Sequence, residues 1–438
     1  MAQLWAAVVR SSPGIWSLQR AWLLLFGLSA CAVPPADSAD PVRPQGLVLP
    51  RHSLAASDLG VVVNLDDPLS APLAERYMAA RSVAPDRRID LHMGQQRSMS
   101  AEDFQPHFEA IQQAFGDEVQ MVLLTSMFPS EVSCMGVSAA VALGFDDRYC
   151  ASMPPCSGTA PTEYFGTDSL MPFADFGLRP TMILAARDEP GGQALIDRGL
   201  AAESSFPLGH GWFVNTSDSV RSVRWERFVE TVERFGEQLE LVTHDNSAGG
   251  GSDLVADQEG VLFYFTGLRE VGSISTNSYR PGAVADHLTS FGGQLPDSQQ
   301  MSIIAWLEAG ATASFGTAHE PCAFPAKFPD TLELLRHYLN GNTVGEAYWK
   351  SVRSPGEGNF VGDPLARPFG GYQDSWDGVD WAIRTGALRE GRSYLLQGGD
   401  SAAGLFVDLY ELPQLGSEGI DELVIEEPSH SWYRLLES

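Results

Sequence analysis

Asp58 to Val83 reads DLGVVVNLDDPLSAPLAERYMAARSV, and the fold turns on how this stretch is parsed. Leu59 to Leu65 is an apolar run interrupted only by Asn64. A strand wetted on one face alternates polar and apolar side chains, whereas a continuous apolar run marks a strand covered on both faces. Asp66-Asp67-Pro68 ends the run with turn-forming residues. Ser70 is placed to cap a helix reaching about Ser82, with Leu73, Tyr77 and Met78 on one face. A buried strand, a tight break and a helix make the unit from which open parallel sheets are built.

The same grammar extends along the chain. Strands are predicted at Ile89–His92, Val119–Thr125, Thr181–Ala185, Trp212–Asn215, Leu239–Val242, Val261–Phe265 and Ala311–Gly316. Helices are predicted at Glu102–Phe115, Gly191–Ala202, Val220–Phe235, Pro281–Ser290, Ser298–Ala309, Thr331–Leu339 and Val344–Arg353. Residues 130–180 are irregular, proline-rich and hold three cysteines; they read as an insertion or cap over the sheet edge. Beyond Gly362-Asp363-Pro364 the pattern changes to short strand-like runs with no helix. The expected class is therefore α/β, a mainly parallel sheet flanked by helices over 58–370, followed by a small antiparallel β domain over 371–438. No sequence repeat and no heptads are visible.

The N-terminus sets the compartment. Ala21 to Ala30 supplies ten largely apolar residues, about half of what a membrane span needs. Arg10 and Arg20 lie upstream of it, and residues 1–30 contain no acid, which is the layout of a secretory signal. Leu28-Ser29-Ala30-Cys31 resembles the lipobox of bacterial lipoproteins. That resemblance implies removal of 1–30, lipidation of Cys31 and a Pro-, Ala- and Asp-rich disordered tether over 31–57. An ordinary cleaved signal and a buried helix are the alternatives. The expected location is the bacterial envelope, periplasmic or surface-facing, anchored to the membrane by lipid. Ala32 in place of an aspartate favours the outer membrane.

The formal charge is −28, and losing Arg10 and Arg20 makes it −30. So acidic a chain repels phosphate backbones, which argues against nucleic acid as a partner. Cys134, Cys150, Cys156 and Cys322 remain after Cys31, an even number that favours disulfides in an oxidising compartment. The short loop CASMPPC suggests Cys150–Cys156, leaving Cys134–Cys322; free thiols are the alternative. No CxxC or HxxxH spacing supports zinc.

Several stretches carry candidate chemistry. PGAVADHLTSFGGQL (281–295) offers Asp286, His287, Thr289 and Ser290. On a helix Asp286 shares a face with Thr289 and Ser290 but not with its neighbour His287. GATASFGTAHEPCAFP (310–325) brings His319 and Glu320 to the end of a strand, where a histidine titrates near neutrality. Asp66-Asp67 and Asp146-Asp147 are carboxylate pairs of the kind that ligate Ca²⁺ or Mg²⁺, and also ordinary turn formers. Cys134 in VSCMGVSAA is a nucleophile only if it is not bridged. The chain has no GxSxG, GxxxxGK[ST] or HExxH motif, and no GxGxxG after a strand.

Taken together, VVVNLDDPLSAPLAERYMAARSV, VLFYFTGL, PGAVADHLTSFGGQL, WLEAGATASFGTAHEPCAFP, GEAYWKS and VGDPLARPFG resemble an uncharacterised family of exported bacterial proteins. More distantly, their order is similar to that of gingipain-like cysteine peptidases of the caspase fold. That similarity implies a Gly-His-Gly turn after one strand and a nucleophilic Cys after the next. At the first place this chain reads Thr266-Gly267-Leu268, and at the second its nearest candidates are Thr289 and Ser290. Both members of the dyad are missing, and Leu with a hydroxyl does not replace a thiolate–imidazole pair. The expected function is a lipid-anchored envelope protein that binds a protein, peptide or polymer without cleaving it. The alternative is a hydrolase using Asp286, His287 and Ser290, with His319 and Glu320 alongside. No cofactor is expected beyond the candidate cation at Asp66-Asp67.

Overall fold

The computed structural model describes residues 42–151 and 156–438. The signal segment, Cys31 and the start of the tether lie outside the described residues. Among those described, no helix is long and apolar enough to cross a membrane. The chain forms two compact units. The larger contains Arg51–Gly371 and Glu418–Ile420; the smaller contains 42–50, Tyr372–Ser417 and Asp421–Ser438.

In chain order the elements are β1 (Gly46–Val48), β2 (Leu59–Asn64), α1 (Ser70–Arg81), β3 (Arg88–Leu91), β4 (Ser98–Met99), α2 (Ala101–Ala114), β5 (Met121–Leu124), β6 (Glu131–Val132), β7 (Met135–Gly136), α3 (Val137–Leu143), α4 (Pro172–Phe176), β8 (Thr181–Ile183), α5 (Glu189–Ala202), β9 (His210–Asn215), α6 (Trp225–Phe235) and β10 (Glu240–Asp245). There follow β11 (Val261–Thr266), β12 (Tyr279–His287), α7 (Ile304–Ala309), β13 (Ala313–Thr317), α8 (Thr331–Leu339), α9 (Val344–Ser351) and β14 (Gly358–Gly362). The rest is strand: β15 (Tyr372–Trp376), β16 (Trp381–Thr385), β17 (Arg392–Gly399), β18 (Phe406–Leu415), β19 (Asp421–Ile425) and β20 (Trp432–Glu437).

The larger unit is built on one sheet, ordered β10-β9-β11-β12-β13-β14-β8-β5-β2-β3. β2 and β11 are buried along their whole length, as continuous apolar runs require. β3-β2-β5-β8 pair in parallel, and so do β10-β9-β11-β12-β13. β14 lies between the groups, antiparallel to β13. The α/β class read from the sequence is therefore the class observed. Each group begins second, first, third, fourth in chain order, the later group adding β13 as a fifth strand, so topology repeats where sequence does not. The order reverses at β2/β5 and at β9/β11, the places where an open α/β sheet forms a crevice beyond its carboxyl ends. β14 meets β8 at one pair, Val361 with Ile183, and loops that follow the two groups touch. Arg97 and Arg187, beyond β3 and β8, donate to the carbonyls of Asp297 and Pro296, both beyond β12.

Four expectations are corrected. Residues 281–287 form the end of strand β12, not a helix. Residues 130–180 are not an insertion but the crossover from β5 to β8, and six of the seven residues of its helix α3 are buried. The tether is shorter than 31–57, because Gly46–Val48 pairs in parallel with β20. The disulfides are Cys134–Cys150 and Cys156–Cys322, with Cα separations of 5.6 and 5.8 Å, rather than Cys150–Cys156 and Cys134–Cys322. α3 reverses the chain, so Cys150 returns beside Cys134 at the β6–β7 turn, and Cys156 meets the loop beyond β13.

Two motifs behind the family resemblance prove to be internal fastenings. Asp363 of VGDPLARPFG is fully buried. It accepts from the Tyr77 hydroxyl (2.6 Å), the Leu365 amide (3.1 Å) and the Arg81 guanidinium. A Cβ on Gly199 would lie 1.8 Å from its Oδ2, so α5 passes here only with glycine. Glu346 of GEAYWKS, also fully buried, accepts at 3.0 Å from the amides of Leu54 and Thr343 and from the Thr343 hydroxyl, closing a capping box.

The smaller unit has two sheets, β1-β20-β17-β18 and β15-β16-β19. Leu47, Trp381, Tyr394, Leu396, Tyr433 and Leu435 are among the residues filling its own core.

Candidate functional site

The candidate residues lie at or beyond strand ends but do not form one constellation. Asp286 and His287 are consecutive in β12, so their side chains leave opposite faces of the sheet. Asp286 is fully buried and its Oδ1 accepts from Arg224 Nη2 at 2.6 Å. Arg224 also donates to the Thr266 carbonyl at 2.8 Å, tying the entry to α6 to the end of β11. Burial pushes the Asp286 carboxyl up, opposed by the Arg224 charge.

His287 is 1% exposed. Its Nδ1 accepts from the Trp306 indole N–H at 3.0 Å. The ring proton therefore sits on Nε2, which donates to the Met301 carbonyl at 3.1 Å. Burial pushes the pKa down to about 3, and the Arg224 and Arg221 charges lower it further. Neither ring nitrogen is left to take a proton from a nucleophile.

Beyond β12, Thr289 receives a 3.3 Å hydrogen bond from Arg221 Nε and pairs closely with the Gln300 side chain. Thr317 Oγ1 donates to the carbonyls of Thr289 (3.1 Å) and Ser290 (3.0 Å), fixing the loop. The Ser290 side chain has no histidine or carboxylate partner among the described residues. Arg221 is anchored by Asp218 Oδ2 at 2.7 Å. Its carbonyl closes the turn after β11: a Cβ on Gly267 would lie 2.0 Å from Arg221 O. No imidazole fits at the middle of Thr266-Gly267-Leu268.

His319 and Glu320 follow β13. Glu320 accepts from the Cys322 amide at 2.8 Å, a turn contact. His319 bears electrostatically on Glu131 and Glu357 instead. Glu357 forms a buried ion pair with Lys327 at 2.8 Å, and its Oε1 accepts from the Ala151 amide at 2.8 Å. Burial raises both glutamates, most directly in the half-buried Glu131.

The Asp66-Asp67 pair diverges. Asp66 Oδ1 pairs with His92 Nδ1, and its Oδ2 accepts from the Gly94 amide, both at 2.8 Å. Asp67 Oδ2 accepts from Ser126 at 2.7 Å, and its Oδ1 from the Leu69 amide at 3.0 Å. Asp146 caps the short turn that holds Asp147. Among the described residues, only Cys134, Asp147 and Cys150 bring three potential ligand atoms within mutual metal-binding reach, and the two sulfurs are joined to each other.

Sequence reasoning passed over two features. Asn359 is fully buried and donates to the Ser130 (2.7 Å) and Gly293 (2.9 Å) carbonyls, joining loops from both strand groups. Phe165, Arg227, Phe328, Asp330 and Arg353 are among the residues lining a cleft of about 350 Å³. There Arg227 pairs with Asp330 at 3.0 Å, and Arg353 stacks 4.3 Å above Phe165. A signal for this arginine-rich edge exists in the sequence. VRSVRWER (220–227) packs three arginines into eight residues of a chain with twice as many acids as bases.

No family model matches the chain, and no curated protein matches it. A solved structure named "Structure of Protease" aligns with it at a TM-score of 0.38 and 9% identity, covering 88% of this chain and 98% of that one. A likeness this slight carries no argument about mechanism.

Proposed function

We propose that the protein is an exported, lipid-anchored envelope protein whose α/β unit binds a protein, peptide or polymer ligand and cleaves nothing. The observation that carries this reading is the closure of the turn after β11, where Arg221 O leaves no room for a side chain at Gly267. The edge that a catalytic imidazole would occupy is filled by Arg221 and Thr289, joined to each other. The 350 Å³ cleft beside it is lined by the partly exposed Phe165 and by Arg227, Asp330 and the exposed Arg353, an aromatic and charged lining suited to holding a chain rather than cutting it. A hydrolase built on Asp286, His287 and Ser290 requires His287 to accept a proton, and both its nitrogens are engaged.

The test is activity-based profiling with serine- and cysteine-directed probes on the purified protein and on Ser290→Ala. No labelling is expected in either. Labelling of the wild type that Ser290→Ala abolishes would replace the binding reading with the hydrolase.

A further inference from the structure

The smaller unit has a feature that its own core does not explain. Leu405 is 94% exposed at the tip of the β17–β18 hairpin, and Val407 is 55% exposed at the start of β18. Ser401 to Val407 (SAAGLFV) carries no charge, in a chain where 19% of residues are charged. Most apolar side chains of this unit face inward, so an uncharged, outward tip marks a contact surface.

The register shows what lies beside it. Gly399 pairs with Phe406 across the hairpin and with Trp432 of β20. Trp432 pairs in turn with Gly46 of β1. One row of the sheet therefore runs Gly46, Trp432, Gly399, Phe406, and the hairpin tip projects beyond it. β1 is parallel to β20, so the chain ahead of Gly46 leaves from that same end. It does so alongside residues 428–431: the Gln45 amide donates to the Ser431 carbonyl (2.7 Å) and the Val42 amide to Pro428 (2.8 Å). Trp432 is half-buried at this end and donates from its indole to Gln45 Oε1 at 3.3 Å. A tryptophan with an apolar body and a polar handle is at home at a membrane interface.

Cys31 lies eleven residues before Val42. At no more than about 3.6 Å per residue, a lipid on Cys31 holds this end of the sheet within about 40 Å of the bilayer. We infer that the Ser401–Val407 hairpin tip is a second membrane contact, resting on the neutral, zwitterionic surface of the bilayer that carries the anchor. This rests on the lipid-anchor reading of Cys31. A leucine and a valine are too little to recruit a protein from solution, but a tether raises the local concentration of bilayer to the order of millimolar, where a weak contact suffices to orient the molecule. The strongly acidic chain disfavours anionic headgroups, which is why the contact is assigned to a zwitterionic surface.

The experiment uses the full-length acylated protein in phosphatidylcholine vesicles, with an environment-sensitive fluorophore on Leu405→Cys or on Gln414→Cys. Gln414 is exposed at the opposite end of the same hairpin, where Arg392 pairs with Leu415. The native thiols are spent in disulfides or acylated, so each variant offers one site. Emission from position 405 is expected to shift to the blue and to be quenched several-fold more by nitroxide-bearing lipids than emission from position 414. Equal, water-like emission from both positions while the protein floats with the vesicles would overturn the inference. Shielding of position 405 without vesicles, with a doubled mass in light scattering, would make a second copy of the chain the occupant and overturn it too. Failure of the same sample to incorporate palmitate would instead remove the anchor reading, and the inference with it.

Discussion

At the scale of single residues, His287 and Asp421 show that titratable groups here serve the fold and set its response to pH. His287 titrates near 6.5 in an unfolded chain and at about 3 when buried between Trp306 and Met301. Between those values the unfolded state binds more protons than the folded one, so stability falls as pH drops from about 6.5 towards 3. At pH 5 the loss from this residue is about 2 kcal/mol relative to pH 7.5. His287→Gln keeps an acceptor for Trp306 and a donor for Met301 without titrating. Urea melts of the variant are expected to show a pH 7.5-to-5 difference smaller by about that amount; an unchanged difference would contradict the buried, neutral imidazole. Asp421 behaves in the opposite sense. Burial pushes its carboxyl up to about 6, and its Oδ2 has no partner among the described residues. The folded state then binds the extra proton between about pH 4 and 6, so stability is lost as pH rises through that window. Asp421→Asn mimics the protonated form and is expected to stabilise the smaller unit by about 2–3 kcal/mol at pH 7 and by only about 0.5 kcal/mol at pH 4. Melts at the two pH values check the sign.

At the scale of elements, legibility followed how completely a segment's surroundings were written into it. β2 and β11 were plain in the sequence because a strand buried on both faces has little choice but to be apolar throughout. β12 was read as a helix because its carboxyl end, Asp286-His287, is polar yet buried on both faces. Asp286 Oδ1 is met by Arg224 from one side and His287 Nδ1 by Trp306 from the other, partners more than fifteen residues away that no local pattern announces. The candidate site failed for the same reason. A helix would put Asp286 on one face with Thr289 and Ser290; the strand instead ends at His287 and sends Asp286 and His287 to opposite faces of the sheet. β14 escaped notice because GNFVG is short and begins and ends in glycine. β1 escaped because its three residues make sense only beside β20, almost four hundred positions downstream. That strand supplies Leu47, 6% exposed, to the core of the smaller unit. Leu47→Ala is expected to destabilise that unit by about 2–4 kcal/mol, through lost transfer energy and an unfilled cavity. Hydrogen exchange reads this as faster exchange of the β17 and β20 amides, with the amides of β2 and β11 unaffected.

At the scale of the whole molecule, the two disulfides differ in what they constrain. Cys134–Cys150 closes a loop with a sequence separation of 16, within one crossover. Cys156–Cys322 spans a separation of 166 and encloses every strand from β8 to β13. If a cross-link acts mainly by restricting the unfolded chain, the longer loop is worth about 5 kcal/mol and the shorter about 3. The pairing also decides what exposure to reductant does. With Cys150–Cys156 the short bridge would restrain only a surface loop; with the observed pairing, reduction releases the crossover from β5 and the loop beyond β13 at once. Peptide mapping of the unreduced protein is therefore expected to recover Cys134–Cys150 and Cys156–Cys322, and no Cys150–Cys156 fragment. Replacing both Cys156 and Cys322 by serine is expected to lower the melting temperature more than replacing both Cys134 and Cys150. Protein made in a reducing cytosol is expected to melt below the exported form by at least as much as the more damaging of the two replacements. Equal melting temperatures for protein made with and without the bridges would mean that neither bridge holds the folded chain together.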